Sequence, residues 1–214
     1  MKIAVAFSGL IRGNYQKNIT KLKEKLPMAD FWFTTWKGQQ EESFIHKYYD
    51  EPVINYNPAT EISYPQTYQR FLRGPAKNWQ DRSKQILAHC LVVHDFCTDY
   101  DVIVRARYDC AVSEYTNLYD YCKMTYDTNK SIGFFTPRNS RDPGNLTQVT
   151  HGDRYFQHHV DHMIIHKKSL LHIDLAWKLH HEKQLRVAEY GWWQVLSEPN
   201  GDNHLAFRGG VKLD

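Results

Sequence analysis

YDVIVRARYD, residues Tyr100–Asp109, runs an apolar strand directly into the pattern Arg-x-Arg-x-Asp. Val102, Ile103 and Val104 are β-branched with no polar interruption, the composition of a strand buried on both faces. Arg105, Arg107 and Asp109 then fall at its carboxyl end, where open α/β sheets bind their ligands. A carboxylate at such a position suits a divalent metal, and two guanidinium groups suit a phosphate. Together they point to a nucleotide-sugar ligand. The same residues also suit a plainer role, a surface aspartate paired with an arginine at a strand end.

Upstream, Lys2–Ser8 (KIAVAFS) reads as a buried strand, Gly9–Gly13 as a turn, and Tyr15–Leu26 as a helix. Ile19, Leu22 and Leu26 recur at helical spacing with lysines between them, and Pro27 ends the run. Asp30–Trp36 (DFWFTTW) is a second strand, so this is a β-loop-α-β unit, which favours a right-handed crossover and parallel strands. Val53–Tyr56 is a third, short strand. Ala59–Lys77 shows no clear period and reads as a long loop, and Asp81–Phe96 as a helix with Ile86, Cys90 and Val93 in one stripe. Downstream, Asn117–Tyr126 is a helix, Ser131–Thr136 a strand, and Arg138–Thr150 a mobile loop rich in Gly, Pro, Asn and Asp. His162–His166 is a further strand, Ser169–Glu182 a helix, and Tyr190–Leu196 a last helix.

With 214 residues, 42% of them hydrophobic and 24% charged, the chain suits one domain. Its mean hydropathy of −0.64 and the lack of any apolar run near membrane-spanning length argue against a membrane span. The apolar start is cut by Ser8, Gly9 and Arg12, so it reads as a strand rather than a signal peptide. Cys90, Cys97, Cys110 and Cys122 form no CxxC pair, which suits reduced thiols in the cytoplasm. The net charge of +3 admits an anionic ligand without demanding one.

Three blocks carry a resemblance. MKIAVAFSGLIRG (Met1–Gly13), ADFWFTTW (Ala29–Trp36) and YDVIVRARYD (Tyr100–Asp109) resemble, in order, the nucleotide-sugar glycosyltransferases of phages and bacterial surface-polysaccharide clusters. Leu10 departs from the glutamine of the family's FSGQIR turn, and the second half matches loosely, through Val160–Ile165 and Glu189–Trp193. The resemblance implies an α/β, GT-A-like (Rossmann-like) αβα sandwich with a mostly parallel central sheet. It implies one glycosyltransferase-like domain over 1–214, with residues 1–110 as the nucleotide-sugar half and 111–214 as the acceptor half. The implied donor is a UDP-linked sugar, and the implied transferase moves a hexose or a pentose. The implied acceptor is a hydroxyl on a hydroxymethylated base of phage DNA or else on a surface glycan.

Residue by residue, the resemblance makes Asp109 the ligand of a divalent metal, Mn or Mg, although the usual DxD is reduced to Arg107-Tyr108-Asp109. Arg105 or Arg107 then stands as an alternative way to neutralise the diphosphate. Ser8, Gly9 and Arg12 match the nucleotide-facing loop, where glycines let the backbone approach and helix amides favour anions. Asp161 and Glu189 fall where such folds keep acceptor-side carboxylates, one of them a general base; a cap and a solvated charge are the plainer readings. His204 resembles a late histidine near the diphosphate, which makes it a metal ligand beside Asp109; a loop residue is the plainer reading.

Two other patterns compete for function. His158, His162 and His166 share a helix face if a helix forms, a possible zinc site, but HMIIH reads better as a strand. Gln66–Lys84 holds Arg70, Arg73, Lys77, Arg82 and Lys84 against one acid, Asp81, with Tyr68, Phe71 and Trp79 interleaved. Basic groups track phosphates and aromatics stack on bases, so this patch suits DNA, extended by Arg138, Arg141 and Arg154. It also suits a loop that packs its aromatics inward. The alternative function is therefore a nucleic-acid-binding protein without catalysis.

Overall fold

The computed structural model describes residues 1–9, 11–36, 53–56, 86–94, 96–135, 147–149, 162–182, 192, 195–196 and 204–213. In chain order the elements are β1 (Ile3–Ser8), α1 (Tyr15–Lys25), β2 (Asp30–Trp36), β3 (Val53–Tyr56) and the helical segment α2 (86–94). Then come β4 (Val102–Ala106), β5 (Cys110–Val112), α3 (Leu118–Thr128), β6 (Ser131–Phe135), β7 (Thr147–Val149) and β8 (Met163–His166). A 3₁₀ turn (Lys168–Leu170), α4 (Ile173–Glu182), β9 (His204–Arg208) and β10 (Val211–Leu213) complete the described elements.

Eight strands form one sheet in the order β3-β2-β1-β4-β8-β6-β9-β7, and β10 pairs with β5 in a separate ribbon. β1, β2, β3 and β4 are mutually parallel. β8 runs against both β4 and β6, so β6 and its parallel partner β9 share the direction of the first four. Six strands thus point one way, and β8 and the edge strand β7 oppose them. This is the α/β, mostly parallel sheet expected from the sequence.

Alternation along each strand makes two different faces. Ile3, Val5, Phe7, Phe31, Phe33, Val102, Val104, Ile132, Phe134 and Phe207 are buried with Ile19 and Leu22 of α1 and Leu118 and Cys122 of α3. Ala4, Ala6 and Ile103 meet Val92 and Val93 of α2 on the other face. Ile164 and Ala206 continue that face against Ile86, Cys90, Ala176, Leu179 and Trp192. Helices therefore cover both faces, completing the αβα sandwich.

Some elements differ from expectation. Residues 147–149, inside the stretch read as a mobile loop, form β7 against β9, because a three-residue strand is too short to display a period. The helix expected over Ser169–Glu182 is split: the His172 amide donates to the Val195 carbonyl at 2.9 Å, which separates the 3₁₀ turn from α4. His166 lies in a strand, so His162 and His166 do not share a helix face. The basic-aromatic patch with Arg70, Arg73, Lys77, Trp79 and Arg82 lies outside the described residues, as do Arg138, Arg141 and Arg154.

Candidate active site

β1 and β4 are neighbours, with Phe7 opposite Ala106, so the loop after β1 and the turn after β4 emerge side by side at the carboxyl edge of the sheet. The first loop needs its glycines. Gly9 has φ 114° and Gly13 φ 64°, values that a Cβ disfavours. The chain therefore reverses in a few residues between Ser8 and Tyr15 and presents Arg12 above the end of β4.

The turn after β4 is held from below. The Cys110 amide donates to the Arg107 carbonyl at 3.2 Å. Tyr108 is fully buried, its ring 5.2 Å from that of Phe7, and Asn18 Nδ2 donates to its carbonyl at 3.0 Å. β10 then fastens the exit, with Leu213 opposite Cys110. Arg107 and Asp109 flank the buried tyrosine and turn the other way.

There the structure gathers what the sequence scatters. Arg107 Nε donates to Asp109 Oδ1 at 2.8 Å and a terminal nitrogen to Oδ2 at 2.9 Å, a bidentate fork. Arg12 Nε, 97 residues away in sequence, donates to Oδ2 at 2.6 Å. The Asp109 and Arg107 side chains are 7% and 13% exposed, whereas Arg12 is 55% exposed. Burial alone would raise the Asp109 pKa, but the hydrogen bonds and charges of Arg107 and Arg12 outweigh it and hold the carboxyl below its ordinary value. Asp109 is thus an ionised group clasped by two cations. The plainer strand-end pairing is half right: the partner is an arginine, but the aspartate is buried and has two of them.

Beneath this edge lies a buried polar group on the α2 face. Arg105 is fully buried, donates from Nε to Ser8 Oγ at 3.2 Å, and sits 4.7 Å over the Trp192 ring. His89 and His166 meet Nε2 to Nε2 at 2.9 Å. His166 Nδ1 lies 3.0 Å from the Lys167 carbonyl, an acceptor, so Nδ1 carries the proton and His166 Nε2 accepts from His89. Both rings are neutral: burial drives His89 well below its ordinary pKa, helped by His166 and Arg105, and burial takes His166 to about 4. No local sequence signal identifies His89, which meets its partner across 77 residues.

His204 is not brought to Asp109. It begins β9 opposite Ser131, with Nδ1 2.7 Å from Ser131 Oγ, buried and lowered to about 4 by desolvation. Through the register of β6, β8 and β4 it stands level with Ile103, roughly 10 Å back along the strands from Ala106 and three strands aside. It is neither a loop residue nor a ligand alongside Asp109. Asp161 and Glu189 lie outside the described residues.

A divalent ion on Asp109 does not fit this arrangement. Both carboxylate oxygens already accept from guanidinium groups, and a cation placed there would face two positive charges at contact distance. Among the described residues no group of three or more His, Cys, Asp or Glu is placed to hold a metal.

No family model and no curated protein sequence matches this chain. Among solved structures, S. aureus TarS residues 1–349 matches over 98% of this chain with TM-score 0.51 at 12% identity. The same fragment in complex with UDP gives TM-score 0.51 at 11% identity. This chain spans 60% of that fragment. A glycosyltransferase involved in glycosylation of the major capsid of PBCV-1 matches over 96% of this chain and 82% of its own, with TM-score 0.47 at 9% identity. The likeness to the TarS fragment, at 12% identity, assigns architecture alone: this chain has a GT-A-like fold, as its three sequence blocks imply.

Proposed function

We propose that this protein is a glycosyltransferase that moves a hexose or pentose from a nucleoside diphosphate to an acceptor hydroxyl. The observation that carries the reading is the Arg12–Asp109–Arg107 cluster at the carboxyl edge of β1 and β4 in a GT-A-like sheet. That is the edge where open α/β sheets take ligands, and the exposed Arg12 guanidinium keeps terminal N–H groups for phosphate oxygens. The UDP bound by the TarS fragment supports UDP as the nucleotide.

In the transfer, the bond between the sugar's anomeric carbon and the β-phosphate oxygen breaks, and its electron pair leaves with the nucleoside diphosphate. The acceptor oxygen bonds to the anomeric carbon and gives its proton to a general base, for which Asp161 and Glu189 are the candidates from the sequence. Preorganised positive charge at the leaving diphosphate lowers the barrier. Ser8 and Gly9 shape the loop beneath the nucleotide, and the 111–214 half takes the acceptor. The basic-aromatic segment 66–84 supports an acceptor in DNA, a hydroxymethylated base flipped from its stack, over a surface glycan. Four buried cysteines, none in a disulfide, support a reducing, cytoplasmic setting. No helix among the described residues is long and apolar enough to cross a membrane.

The test is thermal stability against UDP-, GDP-, CMP- and dTDP-sugars. A ligand at 100 times its dissociation constant adds about 2.7 kcal/mol, a plain rise in melting temperature. One nucleotide standing out supports the reading and names the donor. A flat panel, with DNA binding that weakens steeply in salt, would replace it with the non-catalytic nucleic-acid reading.

A further inference from the structure

We infer that the arginine pair on Asp109 is the seat of the donor's diphosphate and neutralises its charge there, so that donor binding requires no divalent metal ion. This inference rests on the glycosyltransferase reading above. It starts from what Asp109 does with its oxygens. A carboxylate that holds a metal directs lone pairs to the ion, whereas here Oδ1 accepts from Arg107 Nε at 2.8 Å and Oδ2 from Arg12 Nε at 2.6 Å and an Arg107 terminal nitrogen at 2.9 Å. The aspartate is buried and its guanidinium partners cannot discharge at any working pH. Displacing them to admit an ion would leave two cations beside a third.

Asp109 accepts from two guanidinium groups, and Arg105 lies fully buried beneath Ser8. The carboxylate has a specific use: without it, two guanidinium groups would repel each other instead of standing together. Among the described residues, Arg12 makes its hydrogen bond to Asp109 through Nε, and its exposed guanidinium keeps terminal N–H groups for a ligand. The start of α1 points the same way. The Asn14 side chain makes no capping hydrogen bond and the first turn holds no acid, so the helix field adds to that of Arg12. The diphosphate would thus meet Arg12 above Asp109, which serves as the counter-ion that holds Arg12 and Arg107 together.

The experiment is calorimetric titration of the full chain with UDP, GDP, CDP and dTDP, each in EDTA and in Mn²⁺. The expected result is one nucleoside diphosphate binding with the same affinity in both. Arg12→Ala should weaken it by roughly 10- to 100-fold in either buffer, the loss of charge-assisted bonds to phosphate. Asp109→Asn, checked as folded by its melting curve, should still bind that nucleotide in EDTA. Affinity that depends on Mn²⁺, disappears in Asp109→Asn and ignores Arg12→Ala overturns the inference while leaving the glycosyltransferase reading intact. No binding of any nucleoside diphosphate in either buffer overturns both.

Discussion

The two faces of the central sheet are built from alternate residues of the same strands, yet they differ in kind. One face is filled by rings: Phe7 lies 5.6 Å from Phe33 and 5.2 Å from Tyr108, and Phe134 lies 5.8 Å from Phe207. The other pairs small residues, Ala4 and Ala6, with polar ones: Ser8, Arg105, His166, Ser131 and His204. The ring face stabilises through apolar burial and cares little about pH. The polar face depends on each group meeting a partner and keeping its protonation state. The difference shows where a candidate site can be carried: the Arg12–Asp109–Arg107 cluster is at the carboxyl edge, and Ser8 and Arg105 of the polar face lie beneath it.

The largest expected effect separates the faces by pH. His166 and His204 titrate near 4 in the folded chain against an ordinary 6.5, and His89 lies well below 6.5. Between 6.5 and 4 the unfolded chain takes up protons that the native chain refuses, so stability falls as pH drops through that window and then levels for these groups. For His166 and for His204 the displacement to about 4 corresponds to about 3 kcal/mol each. Urea unfolding at steps between pH 7 and 4.5 measures this. His166→Gln should flatten the slope by about one proton. A free energy independent of pH in that window would mean that the polar face is not held neutral.

The next effect compares neighbours in one strand. Phe7→Ala removes a ring from the packed face and should cost about 3–5 kcal/mol. Ser8→Ala, one residue on, removes the acceptor of the Arg105 Nε bond and should cost about 1–2 kcal/mol. Equal costs, measured by urea unfolding, would erase the distinction between the faces at β1.

The ring face was the legible one. β2 spans Asp30–Trp36 as its pattern predicts, and Ile19, Leu22 and Leu26 are buried at their helical spacing. These are local periods, and the apolar side of an element states its own burial. The three-residue strands β5, β7 and β10 are too short to show a period and exist through their partners. The site divides in the same way. Arg-x-Arg-x-Asp is visible in ten residues, and Arg12 was marked by resemblance, but the salt bridge that joins Arg12 to Asp109 is created by the β1–β4 pairing. His204 shows the cost of assigning by likeness alone: its place in β9 follows from the pairing with Ser131, which no motif encodes.

The smallest single loss is expected at Arg12, which a comparison with its neighbour on Asp109 isolates. Arg107 is nearly buried beside a buried carboxylate, so Arg107→Ala leaves Asp109 with one partner that is mostly in water, and should cost about 3 kcal/mol. Arg12 is more than half exposed, and when it is removed Arg107 still holds both oxygens through its fork. Solvent screens what Arg12 contributes, so Arg12→Ala should cost below about 1 kcal/mol of stability. Paired unfolding curves at pH 7 settle the order. If Arg12→Ala destabilises as much as Arg107→Ala, Arg12 is a structural clamp on Asp109. If the stability loss is small, its side chain is spared for an anion arriving from solvent.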